Sequence, residues 1–344
     1  MKITNLRDYF SQNLSRSNTS KIARRLEQYD IPKIQNSYLA SSKLRSSKTY
    51  YIIWREGGGF FSILSSVLCH LQIAESLDFI PVVDFKNFTS TYSENQQING
   101  SHNMWEYYFE PIHDASLDEV YESGNFVITD GRHPAGAVMS VSQDESLLDT
   151  FRKYVVPNPT TLATLNSAKK QVEIDEFTLG IHFRGQEMRR ARGHPFPPTL
   201  QQVFSNTDIL LTRGAFERIF LVTEGAEYEK AFIKRYGSLV QRLPHYRRFK
   251  KNSYSINPRV NHRFLLGQEI LIDTLLLSEC GSLISGSSNV SEMAILLNSK
   301  KYTFNCQIRN GTNSQNLLIA PFLWNLKNIA PIRLGGFPKS NRSI

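Results

Sequence analysis

The sequence predicts an α/β protein built from two doubly wound, Rossmann-like parallel sheets. Three observations carry that expectation. Apolar strand patterns alternate with helical ones along most of the chain, and Gly- and Ser-rich turns fall where a strand gives way to a helix. The length of 344 residues, 40% of them hydrophobic and 11% aromatic, suits two cores in domains of roughly 150 residues.

Residues 1 to about 45 are polar, Ser-rich and basic, with helical spacing at Ile22, Leu26 and Tyr29, and are expected to form an accessory helical segment over 1–48. The first domain, 49–172, opens with Thr49–Arg55, whose apolar run reads as a buried strand. The turn Glu56-Gly57-Gly58-Gly59 and a helix through Leu64, Val67, Leu68, Leu71 and Ala74 follow, then a strand over Phe79–Asp84. The glycine turn therefore stands at the carboxyl end of the first strand of a βαβ unit, where open α/β sheets bind ligands. It contains no G-x-G-x-x-G, so by itself it is equally a tight turn. Trp105, Tyr107 and Tyr108 cluster in Met104–Pro111; such clusters are usually core, and aromatic faces also line sugar sites, so Trp105 and Tyr108 are candidate acceptor contacts.

The Pro- and Thr-rich stretch from Val155 and the polar helix to about Val172 read as an interdomain crossing. The second domain, 173–344, begins with Thr178-Leu-Gly-Ile-His182-Phe-Arg184, a strand whose period of two puts His182 and Arg184 on one side. A helix start at Pro198-Thr199, a strand Arg218–Glu224 and a helix Tyr228–Tyr236 come next. From Ile272 the order is helix, short apolar strand, the turn Ser285-Gly-Ser-Ser-Asn289, and helix. Open backbone N–H groups and the positive end of the helix dipole meet at that turn, which suits a phosphate. The same residues also read as an ordinary N-cap, with Glu292 completing a capping box. An arginine at a strand end is the complementary group for a diphosphate, because its planar fork satisfies two oxygens.

The net charge of +9 favours acidic partners: nucleotides, nucleic acid, an anionic membrane surface or anionic glycans. Arg189-Arg190-Ala-Arg192 and Arg247-Arg248-Phe-Lys250-Lys251 are basic runs in expected loops. Without an RNP signature, zinc-finger spacing or recognition-helix pattern they do not call for a specific nucleic acid; most such runs are solvated surface, and for an enzyme working on lipid-linked or surface glycans they would instead give peripheral contact with anionic lipid head groups. Cys69, Cys280 and Cys306 are too scattered for a disulfide framework or a zinc site, which fits a reducing compartment. No run approaches the ~20 apolar residues of a membrane span and no signal-peptide core is seen, so the expected location is cytoplasmic, with peripheral attachment to the inner face of the membrane.

Three motifs give the chain a specific resemblance: Gly58-Gly59-Phe60-Phe61-Ser62-x-Leu64, His182-x-Arg184-x-x-Glu187, and Asp273 with Ser287-Ser288-Asn289-Val290-Ser291. Together they resemble the GT-B fucosyltransferase superfamily that includes nodulation-factor, α1,6- and protein O-fucosyltransferases. The resemblance implies a GT-B fold, two Rossmann-like domains facing a cleft, and inverting transfer of fucose from GDP-fucose to a glycan hydroxyl, here of a surface polysaccharide or lipopolysaccharide. It makes Arg184 the group that stabilises the leaving diphosphate. His182 and Asp273 would contact guanosine, Ser287, Ser288 and Asn289 the diphosphate, Thr223 and Glu224 the nucleoside. Gly58, Gly59 and Phe60 would complete the donor site.

Where Glu187 stands the superfamily usually has Asp, and Gly185 often corresponds to a second basic residue. An inverting displacement still has to deprotonate its acceptor, for which Glu187 is the nearest candidate and His194 the second; Glu187 equally suits an ion pair with Arg189 or Arg190. No D-x-D occurs, so no metal cofactor is expected. The competing expectations are a GT-B transferase of another nucleotide sugar, a basic protein that binds nucleic acid or an anionic surface, and a catalytically silent relative.

Overall fold

The computed structural model describes residues 49–134, 144–184, 187–213, 216–246 and 258–338. The helical segment expected within 1–48 and the basic run at 247–251 lie outside them. The described chain divides into two compact units, one drawn from 49–162 with Arg263–Gly267, the other from 163–262 and 268–338.

The first unit is a parallel sheet in the order β2-β1-β3, with β1 at Tyr50–Ile53, β2 at Ile80–Val83 and β3 at Phe126–Ile128. Helix α1, Phe60–Ser76, links β1 to β2 and is apolar nearly all round, with Leu64, Val67, Leu68 and Leu71 fully enclosed. Pro81 sits on the edge strand β2, where its missing N–H costs no ladder bond. Short helices α2, Leu117–Glu122, and α3, Glu145–Tyr154, complete the unit. A capping box closes the first, with Ser116 and Glu119 each accepting from the other's backbone.

Helix α4, Pro159–Gln171, spans the division between the units. The second sheet has five parallel strands in the order β6-β5-β4-β7-β8: β4 at Thr178–Phe183, β5 at Arg218–Thr223, β6 at Val240–Gln241, β7 at Ser282–Gly286 and β8 at Asn305–Ile308. Numbered within the unit this is 3-2-1-4-5, the doubly wound order, and its reversal falls between β4 and β7. Leu179, Ile181 and Phe183 face a core shared with Val203 and Leu210 of α5, Leu200–Arg213, and with Tyr228 and Phe232 of α6, Ala226–Tyr236. Gly180 and His182 take the opposite face. There the lack of a side chain at Gly180 admits Leu277 and Cys280, at the end of α7, His262–Leu277. Helices α8, Asn289–Leu297, and α9, Ala320–Ile329, follow β7 and β8. The expectation from the sequence omitted α2, α3, β3, β6, β8 and α9; β3 and β6 have only three and two residues, too short for a periodic signal.

Candidate active site

The site is built at the carboxyl edge of the second sheet. Register fixes it: His182 on β4 lies opposite Ser285 on β7, and Phe183 opposite Thr223 on β5, so the three strands end at one level. Their continuations bring Arg184, Glu224 and the Ser287-Ser288-Asn289 turn to the switch point, where a doubly wound sheet takes its ligand.

The β7–α8 turn is tight for a steric reason: a Cβ on Gly286 would stand 2.6 Å from Cδ of Pro198. Ser288 then adopts an extended conformation as the N-cap, its Oγ accepting from the Ser291 N–H at 3.2 Å and lying 3.3 Å from His182 Nδ1. Glu292 forms no capping box, because with Ser288 as N-cap the N3 position falls on Ser291; its Oε1 accepts from Gln307 Nε2 at 2.8 Å. The next two amides, of Asn289 and Val290, have no acceptor among the described residues and add their partial positive charge to the mouth of the turn. Asn289 is exposed and Ser287 half-buried; the buried Ser285 Oγ also lacks a partner among the described residues.

His182 is almost fully enclosed. Burial, reinforced by the Arg184 charge, lowers its pKa to about 3, so the imidazole is neutral and can both donate and accept. Arg184 is half-buried. Its Nε has no hydrogen-bond partner among the described residues and meets Glu224 only at 4.0 Å, a loose pairing that leaves the guanidinium fork for another anion. On α7, Asp273 precedes Leu277 by one turn and so shares its stripe. Leu277 packs on Gly180, which places Asp273 on the same face of the sheet as His182. Asp273 is buried with Oδ2 3.1 Å from His245 Nδ1, out of line for a hydrogen bond, so this contact leaves carboxylate acceptor capacity unused.

Some residues named from the sequence do other work. The Thr223 hydroxyl donates to Phe183 O at 2.7 Å and accepts from Gly225 N–H, tying β4 to β5. Glu187 opens a 3-10 turn, Glu187–Arg189, and its side chain lies outside the described groups. Arg189 stacks 4.0 Å over Trp324 and donates to Tyr228 Oη. His194 is exposed, on a loop that Asn313 holds by its N–H to His194 O.

In the first unit, Gly58 is exposed with φ +97°, a conformation that favours glycine, and Gly59 is the N-cap of α1. Phe60 and Tyr108 are corrections. Phe60 is buried edge-on against Tyr92 and Tyr108, and its N–H goes to Tyr92 Oη at 2.9 Å; Tyr108 is wholly enclosed, with its hydroxyl donated to Phe264 O. Both are core residues, because an aromatic cluster buries more area by packing on itself than by lining a groove. Trp105 is also enclosed, its Nε1 donating to Glu110 O, although it borders a cavity of about 560 Å³ with Glu106, Glu110 and His113. A charged group missed in the sequence gathers beside the glycine turn. Arg55 donates to Gly131 O, Asp130 lies buried next to it, and His133 is held neutral by burial and by Arg55, its pKa lowered to about 4. The only signal was the position of Arg55 at the end of a strand.

At the switch point the strand–turn–helix corner thus brings together an arginine, a neutral histidine and a serine N-cap. Solved structures narrow the fold. Fucosyltransferase NodZ from Bradyrhizobium superposes with a TM-score of 0.51 at 15% identity over 73% of this chain and 94% of that one. NodZ α1,6-fucosyltransferase soaked with GDP-fucose gives 0.50 at 16% identity over 73% and 92%. The chain thus has the Rossmann-like GT-B fold of these fucosyltransferase structures. No family model matches the sequence, and no curated protein is significantly similar to it.

Proposed function

We propose that the protein is an inverting glycosyltransferase that moves fucose from GDP-fucose to a glycan hydroxyl of a surface polysaccharide or lipopolysaccharide. The observation that carries this reading is Arg184: its Nε lacks a partner among the described residues, and it stands at the switch point beside a neutral His182 and a serine-capped helix N-terminus. The NodZ structure of the same fold was soaked with GDP-fucose, which supports that donor.

In this mechanism Arg184 and the amides of Asn289 and Val290 bind the diphosphate more tightly as the bond to the anomeric carbon breaks and negative charge grows on the leaving GDP. Ser287 and Ser288 add hydroxyl contacts. His182 and Asp273 hold guanosine, the carboxylate accepting from N1–H and the exocyclic amine of guanine, with Glu224 beside the nucleoside. The acceptor oxygen attacks from the opposite face and its proton passes to Glu187, or to His194. Since donor cations and amides neutralise the leaving group, no metal is required. A cytoplasmic location fits three buried free thiols, two of which, Cys69 and Cys280, burial holds well above the ordinary thiol range.

Calorimetric titration with GDP, UDP, ADP and GDP-fucose, with and without magnesium, tests the reading. The expected result is GDP-selective binding independent of magnesium. Preference for UDP moves the donor assignment, and no nucleotide binding overturns it.

A further inference from the structure

Helix α9 is apolar on two faces. Inward, Ala320 and Trp324 pack with Phe196 and Phe337 in a small separate core. Outward, Phe322, Leu326 and Ile329 form a stripe at i, i+4 and i+7, with Leu318 before it and Ile332 and Leu334 after it. These are among the most exposed large apolar side chains described: Leu318 is 82% exposed, Ile329 83% and Leu334 73%. The turn beyond the helix is folded back on it, since Lys327 Nζ donates to Gly335 O at 2.7 Å and Phe337 N–H to Lys327 O. Soluble monomers rarely leave a contiguous patch of this kind in water.

The C-terminal segment that contributes it is cationic in sequence. From Met293 to the C-terminus there is no Asp or Glu, while Lys300, Lys301, Arg309, Lys327, Arg333, Lys339 and Arg342 are cationic. The Arg190/Arg192 loop joins the same surface: Asn313 Nδ2 donates to Arg189 O and Ala191 O, and Arg189 stacks on Trp324, which leaves Arg190 and Arg192 exposed beside α9.

We propose that this surface docks in the plane of an anionic lipid bilayer, with the α9 stripe in the acyl boundary and Arg190, Arg192 and Arg333 among the head groups. At ten residues α9 is far too short to span, and no described helix is long and apolar enough to cross a membrane. An exposed apolar stripe flanked by cations is the pattern of an interfacial helix. A second copy fits less well, because a two-fold contact through this patch would set like charges against each other in a chain of net charge +9. The inference stands independently of the donor, since it rests on surface composition alone.

The test is co-sedimentation of the full chain with phosphatidylcholine vesicles, with and without phosphatidylglycerol, with melting temperature and GDP titration as controls. Binding to the anionic vesicles should be at least ~10-fold tighter and weaken with salt. Phe322→Ser with Ile329→Ser should cut it ~10-fold or more by removing inserted apolar surface, and Arg190→Glu with Arg192→Glu should cut it by removing head-group attraction, both with the melting temperature kept. No binding to anionic vesicles overturns the proposal, as does binding that the apolar substitutions leave unchanged. A dimer in sedimentation velocity that Ile329→Ser dissolves would hand the surface to a second copy and overturn it equally.

Discussion

The two units contain the same corner, a parallel strand passing through a tight turn into a helix at a sheet's carboxyl edge, and they finish it differently. After β1 the N-cap is Gly59, which has no side chain to cap with, and the first helical amide is used inside the core by Tyr92 Oη. After β7 the N-cap is Ser288, its hydroxyl bridges to His182, and the next two amides, of Asn289 and Val290, have no acceptor among the described residues. Nearby arginines differ in the same direction: Arg55 donates to Gly131 O, whereas among the described residues Arg184 has only a 4.0 Å approach to Glu224. A strand–turn–helix corner suits an anion when its amides are left open and a cation beside it is not already paired. In the first unit packing has already used part of that capacity.

Arg184→Ala is the sharpest way to break the contrast. It should leave the fold intact and slow turnover ~10³-fold or more, measured as kcat/KM with GDP-fucose, and Arg184→Lys should recover little because an ammonium lacks the fork. Turnover near that of the unchanged protein would remove Arg184 from the mechanism. Asp273→Asn should weaken GDP binding by roughly 10- to 100-fold, as loss of charge-assisted hydrogen bonds does, and flatten the preference for GDP over UDP in calorimetry.

Acid offers a third comparison. His182 and His70 are both fully buried and both lowered to about 3, so the unfolded chain takes up their protons near pH 6.5 while the folded chain does not. Their contribution to stability is intact above pH 6.5 and lost as pH falls toward 3, at roughly 1.4 kcal/mol per pH unit for each imidazole. In denaturant titrations between pH 7 and 4, His182→Asn should show a shallower loss than the unchanged protein; equal slopes would mean that the imidazole is protonated in the folded state.

Smaller effects separate the corners most directly. Ser288→Ala should cost about 1 kcal/mol of stability through the lost cap and weaken GDP binding as well. Gly58→Ala, placed at φ +97°, should cost about 1 kcal/mol through strain yet leave the GDP dissociation constant within about twofold. A large loss of GDP affinity in Gly58→Ala would instead give the first corner a share of the donor.

Much of this was legible in the residues. Alternating strand and helix patterns gave two α/β units, and the period of two in β4 put His182 and Arg184 on one side of it. The Gly/Ser turn before α8 was readable because tight turns and N-caps depend on local chemistry. For Phe60 and Tyr108 the structure shows the inward packing, which was the usual expectation for the Trp105–Tyr108 cluster; composition cannot say whether an aromatic ring packs inward or lines a groove. The bond from the Thr223 hydroxyl to Phe183 O was not readable because its partner lies 40 residues away in sequence.

The sequence by itself determined the longer strands and helices of the two βα units, their polarity and the chemistry placed at their ends, all of which depend on neighbours within a few residues. Only the tertiary structure decided the strand order β6-β5-β4-β7-β8, which carries His182 to within 3.3 Å of a serine 106 positions further on and puts Asp273 on the same face. It also decided which face of α9 stays in water, where the outward stripe and inward Trp324 look equally apolar in sequence. Strand order and burial are set by long-range packing between whole elements, and local periodicity contains no record of which element will lie alongside which.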